Sequence, residues 1–154
     1  HKGDIWVKSE LNKGTSFYFS LPKVSYNDIL KEYISREIKE VRKKKGYFSV
    51  VAFKFENVPE ESNQEHNKIL KDAERAVKET LRRKGDVVFK MGKTIGAILP
   101  DTEKRSAIMV LARIKEKLRQ IFESYEKKII FNDIVITYPG EAKNENEIIN
   151  KLRR

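Results

Sequence analysis

Residues 47–55, Tyr-Phe-Ser-Val-Val-Ala-Phe-Lys-Phe, form an almost unbroken apolar run of strand length. β-Branched and aromatic side chains suit a pleated backbone. A run that does not alternate with polar residues marks a strand buried in the middle of a sheet rather than one with a wet face. Such a strand needs partner strands on either side, so the rest of the chain must be read for what can flank it.

The flanking periods supply those partners. Upstream, Ile29, Leu30, Tyr33, Ile34, Ile38 and Val41 recur at helical spacing, and Gly46 ends that helix. Downstream, residues 57–61 read as a loop, and Ser62 with Glu65 three positions later forms a capping-box pattern. Ile69, Leu70, Ala73, Ala76, Val77 and Leu81 then mark a second amphipathic helix, stopped by Gly85. Residues 86–91 and 94–99 read as two short strands joined by a tight turn at Gly92-Lys93. Pro100-Asp101-Thr102 is expected to open a third helix, with Ala107, Ile108, Leu111, Ile114, Leu118, Ile121 and Phe122 inward. Residues 128–138 read as a strand and Pro139-Gly140 as a turn. Asn144 and Glu147 cap a short last helix carrying Ile148, Ile149 and Leu152. From residue 26 the order is α-β-α-β-β-α-β-α. Its βαββαβ core predicts an α+β fold of the ferredoxin-like class, with helices on one face of a mostly antiparallel sheet.

The first 23 residues follow a different rule. Residues 4–10 alternate apolar and polar, 12–14 give a turn signal, and 15–21 form a second strand ended by Pro22. A lone hairpin is marginal in water, so Trp6, Phe17 and Phe19 are expected to pack it against something else. The division predicted is therefore 1–23 as the end of one domain and 24–154 as a second.

Composition removes several functional classes. The 154 residues include no cysteine, hence no disulfide, thiolate metal site or cysteine nucleophile, and only two histidines, His1 and His66. His66 falls on a polar helix face and is expected to be solvated. With 39 % hydrophobic residues the chain can build a core, and no apolar run approaches the ~18 residues of a membrane span. Lys and Arg number 33 against 23 Asp and Glu, a formal net charge of +10. The basic clusters, Arg42–Lys45 and Arg82–Lys84, lie at helix ends among many acids, where cations complement the helix dipole. A nucleic-acid partner is therefore not expected.

Two resemblances add to this reading. The run His1-Lys2-Gly3-Asp4-Ile5-Trp6-Val7-Lys8-Ser9-Glu10, then Lys13-Gly14-Thr15-Ser16-Phe17-Tyr18-Phe19-Ser20-Leu21-Pro22, resembles the last two strands of sensor histidine kinase ATPase domains. This implies a parent kinase using ATP and Mg, while giving residues 1–22 no nucleotide motif of their own. The segment from Tyr26 to Arg154 resembles the GGDEF, or diguanylate cyclase, family, most clearly over Gly85–Thr102. The fold implied is the GGDEF-type nucleotide cyclase fold.

Within that resemblance the signature hairpin reads Gly92, Lys93, Thr94, Ile95, with lysine and threonine where the family carries acids. On the central strand Lys54 stands at the family's metal-binding Asp, with Glu56 two residues on, and Asn63 is a remnant of the loop pattern. An ammonium cannot ligate a hard cation, and phosphoryl transfer depends on metal neutralising charge. No catalytic residue, metal or cofactor is therefore expected in this chain. Arg83 and Asp86 keep an RxxD spacing five residues before Gly92, which resembles the family's product-binding site for cyclic di-GMP. Arg offers a planar fork to phosphate or guanine, and Asp can accept guanine N–H groups. The expectation is a cytoplasmic regulatory module of a sensor histidine kinase. Its expected partners are the other domains of the parent kinase, a second copy of the chain, and cyclic di-GMP or GTP. The alternative is a cyclase-type enzyme that uses GTP with displaced ligands.

Overall fold

The computed structural model describes residues 4–10, 14–20, 26–59, 63–81 and 83–154, with side chains from residue 29 onward. Its elements are β1 (Asp4–Glu10), β2 (Gly14–Ser20), α1 (Tyr26–Lys44), β3 (Phe48–Phe55), α2 (Gln64–Thr80), β4 (Val87–Met91), β5 (Thr94–Pro100), α3 (Lys104–Phe122), β6 (Phe131–Tyr138) and α4 (Glu145–Arg153). The order is the one expected from hydrophobic periodicity.

The apolar run becomes β3, paired antiparallel with β5 on one side and β6 on the other. The sheet order is β1-β2-β4-β5-β3-β6. Its last four strands form the antiparallel βαββαβ sheet. The hairpin extends it because β2 runs parallel to β4, with Phe17 opposite Val87. The packing expected of Trp6, Phe17 and Phe19, and the turn at residues 12–13, lie outside the described side chains and residues.

Alternation along β3 divides its side chains between two cores. Val51, Phe53 and Phe55 face α2 and α3, joined by Ile95, Ala97 and Leu99 of β5. Phe48, Val50 and Ala52 face the opposite side, against Leu30, Ile34 and Ile38 of α1 and Ile148, Ile149 and Leu152 of α4. The core helices α2 and α3 share one face as expected. The flanking helices α1 and α4 cover the other, which explains why β3 does not alternate with polar residues.

Several local expectations need correction. The third helix begins at Lys104, because Asp101 adopts a positive φ of 49° and Thr102 turns into a buried hydrogen-bond network. Ile108 is 47 % exposed, since the inward stripe of α3 is Ala107, Leu111, Ile114, Leu118 and Phe122. Strand β6 starts at Phe131 rather than at residue 128. The cap of α2 is Asn63, whose side chain accepts from the Glu65 N–H at 2.8 Å; Ser62 lies outside the described residues. Asn144 caps α4 as expected, accepting from the Glu147 N–H at 3.0 Å.

One glycine is set by close approach. Gly96 lies opposite Phe89 on β4 and Ala52 on β3. A Cβ there would sit 2.5 Å from Phe89 Cζ and 2.6 Å from the Val51 carbonyl oxygen. The ring has been given the space a side chain would fill, and the carbonyl belongs to the sheet ladder, so neither can yield cheaply. Gly96→Ala is expected to destabilise the fold by about 2–3 kcal/mol, read as a lower urea midpoint at an unchanged m-value.

Candidate functional site

The residues singled out in the sequence fall into two groups at opposite ends of β4. One surrounds the β4–β5 turn. Gly92 supplies the positive φ of 61° that the turn requires. Lys93 accepts the Phe55 N–H at its carbonyl, 2.9 Å, and sends its own Nζ to the Val58 carbonyl at 2.9 Å. Lys54, between Thr94 and Asn132 in the sheet, extends to the end of α4, at 3.1 Å from Arg153 O and 3.3 Å from Arg154 O. Glu56 accepts a hydrogen bond from the Asn132 side chain. Thr94 and Ile95 are buried, Ile95 within the core of α2 and α3. Both ammonium groups are thus spent on backbone carbonyl oxygens, a donor set that suits a cation. Among the described residues no group of three His, Cys, Asp or Glu could hold a metal ion. Neither Lys54 nor Lys93 could ligate a divalent cation, since a protonated lysine has no lone pair to offer it.

The polar pattern around His66 predicts a solvated side chain. It is instead 2 % exposed, because the segment after β3 folds back over the start of α2 and its ring Nδ1 meets the Pro59 carbonyl at 2.8 Å. It packs against Pro59, next to the Val58 whose carbonyl accepts from Lys93.

The second group lies before β4. The chain leaves α2 at Leu81, turns through Gly85 at a φ of 94°, and enters β4 after Asp86. That turn brings Arg83 and Asp86 to a cleft of about 570 Å³ between the end of α2 and the middle of α3. Leu81, Arg83 and Asp86 line one side, and Val110, Arg113 and Lys117 of α3 the other. Lys117 is paired with Glu79 at 3.1 Å. Arg113 has no ion pair or hydrogen bond among the described residues. Arg83 Nη1 donates to Thr102 Oγ1 at 2.8 Å.

Asp86 is the unusual member. It is only 2 % exposed, and its Oδ1 is buried with no hydrogen-bond partner among the described residues. Burial pushes its pKa up to about 6, against the opposing pull of the Arg83 charge and of the Arg83 backbone N–H. An unsatisfied buried carboxylate oxygen costs free energy that the fold alone does not recover, and such groups concentrate where a ligand completes them. The sequence indicated Arg83 and Asp86 because they are neighbours in the chain. It held no sign of Arg113 or Lys117, which reach the cleft only because α3 packs on α2.

No family model matches this sequence, and no curated protein does. Solved structures do resemble its fold. A DGC protein from Thermotoga maritima is 18 % identical with a TM-score of 0.64, over 80 % of this chain and 91 % of that one. The GGDEF domain of DgcB from Caulobacter crescentus, in complex with c-di-GMP, is 9 % identical with a TM-score of 0.64, over 82 % and 77 %. Diguanylate cyclase SiaD from Pseudomonas aeruginosa, in complex with its activator SiaC, is 17 % identical with a TM-score of 0.64; this chain is covered to 82 % and spans about half of that one, 51 %. The chain therefore has the GGDEF-type nucleotide cyclase fold. No helix among the described residues is long and apolar enough to cross a membrane.

The raised pKa of Asp86 has a consequence for stability. A folded value of about 6 against an ordinary 3.8 means that the folded chain holds this proton more tightly than the unfolded chain. The contribution is fully present below about pH 4 and is lost as pH rises through 6, a difference of about 3 kcal/mol at pH 7. Asp86→Asn, which cannot ionise, is expected to raise stability at pH 7.5 by about 2 kcal/mol. Urea titrations across pH are expected to show the gain vanishing by pH 4.

Proposed function

We propose that this chain is a catalytically inactive GGDEF-type domain that senses an anionic guanine nucleotide, cyclic di-GMP, in the cleft between α2 and α3. The observation that carries this reading is the buried, unpartnered Asp86 Oδ1 beside Arg83 and an unpaired Arg113. A guanine edge presents two N–H donors that a carboxylate can accept, and phosphates suit the planar forks of two arginines. One ligand would answer both the missing donor at Asp86 and the unpaired Arg113 opposite it.

Inactivity is supported at the other end of β4. Lys54 and Lys93 stand where the resemblance places acids for metal, and both are committed to carbonyl oxygens. With the ligand cleft kept and the metal end filled by ammonium groups, binding is retained without transfer chemistry. We further propose that the module belongs to a cytoplasmic sensor histidine kinase, in which it contacts other kinase domains or a second copy of itself. Two features support this: residues 1–22 resemble the end of a kinase ATPase domain, and β2 pairs with β4 starting opposite Val87, one residue after Asp86. A ligand in the cleft would then act on the strand to which the preceding hairpin is joined.

Isothermal titration is expected to show cyclic di-GMP binding, reduced at least tenfold by Arg83→Ala or Arg113→Ala, the loss typical of a charged hydrogen bond. A folded protein giving no heat at high ligand concentration overturns the sensing reading. Incubation with GTP and Mg²⁺ is expected to yield no cyclic di-GMP; product on chromatography overturns the inactive reading and favours an enzyme with displaced ligands.

A further inference from the structure

Arg83 is an exposed side chain at the cleft mouth, yet its guanidinium is held by a residue that is 2 % exposed. That residue is Thr102, beyond β5 and nineteen positions along the chain. Its hydroxyl has a single hydrogen, which it donates to the Pro100 carbonyl at 2.8 Å. Only lone pairs remain to face Arg83 Nη1, also at 2.8 Å.

The threonine is itself fixed from behind. Its carbonyl accepts from Ser49 Oγ at 2.9 Å, and Ser49 Oγ meets Thr137 Oγ1 at 2.8 Å. Because the Ser49 hydrogen is committed to Thr102, the Thr137 hydroxyl is the donor in that pair. The Thr137 backbone N–H in turn donates to Glu141 Oε1 at 3.1 Å. Ser49, Thr102 and Thr137 are all buried, on β3, after β5 and on β6. Each hydroxyl thus has one assigned direction, and a satisfied buried network of this kind is rigid.

We infer that Thr102 is a positioning residue for the cleft, turning only the acceptor side of its hydroxyl to Arg83 and so holding the guanidinium at the mouth for an anionic ligand. This rests on the sensing reading above. Among the described residues the hold uses Nη1 alone and leaves Nε and Nη2 to a ligand. A long side chain held beforehand gives up less freedom when a ligand arrives.

Two measurements test it, one of them without ligand. By ¹⁵N NMR of the arginine side chains, the Arg83 guanidinium is expected to rotate slowly in the wild type and in Thr102→Ser, and freely in Thr102→Val. A guanidinium equally restrained in Thr102→Val, with the variant shown folded by circular dichroism, overturns the inference. In titrations with cyclic di-GMP, Thr102→Val is expected to weaken binding about tenfold and Thr102→Ser to restore it. In an Arg83→Ala background the same change is expected to cost nothing further, because Thr102 acts through Arg83. An equal loss in both backgrounds means a structural role and also overturns it. If the wild type binds no cyclic di-GMP, the sensing reading fails, and the guanidinium measurement still decides the role of Thr102.

Discussion

Strand β3 is the constraint on which the structure depends. It is hydrogen-bonded on both sides and packed on both faces. Phe48, Phe53 and Phe55 are among its fully buried side chains, and each alternate residue belongs to a different core. Two pairs of helices must therefore be present at once, α2 with α3 and α1 with α4. The rest of the fold supplies what this strand lacks. Ser49, the polar interruption in its buried half, is satisfied by Thr102 and Thr137 and ties the ends of three neighbouring strands together.

The two ends of β4 show opposite electrostatic solutions. At the turn end, the ammonium groups of Lys54 and Lys93 donate to backbone carbonyls, and each has a hydrogen-bond partner. At the cleft end, Asp86 is buried with one oxygen unanswered while Arg113 faces the same space unpaired. A fold optimised only for stability would not keep a carboxylate in that state, since burial without a partner costs several times what an ordinary surface contact contributes. Incompleteness at one end and closure at the other carry the argument for binding without catalysis.

The hairpin joins these ends to what precedes them. Strand β2 runs parallel to β4 over Phe17 to Ser20, opposite Val87 to Lys90. This pairing covers the edge that β4 would otherwise expose, an edge that invites association with other strands. It also places the preceding segment directly beside the strand that begins at the cleft.

What the sequence itself determined was local. Hydrophobic periods specify every element and their order, the Asn144 cap, and the turn at Gly92, because these depend on neighbours a few residues apart. Arg83 with Asp86 was legible for the same reason: three positions and a glycine turn bring them together. The apolar run alone puts Lys54 near the end of a strand, and the Gly92 signal alone puts Lys93 in a turn. Tertiary structure alone decided which of these groups would be satisfied. His66 lies on a helix face that is polar in sequence, yet it is buried because the segment before α2 folds back over it. Arg113 reaches the cleft by helix packing and Thr102 reaches Arg83 from beyond β5, thirty and nineteen residues from Arg83, and no pattern in the chain encodes those contacts. The state of Asp86 was equally hidden, for a carboxylate is shifted by the water it loses, and that loss exists only once the fold buries it.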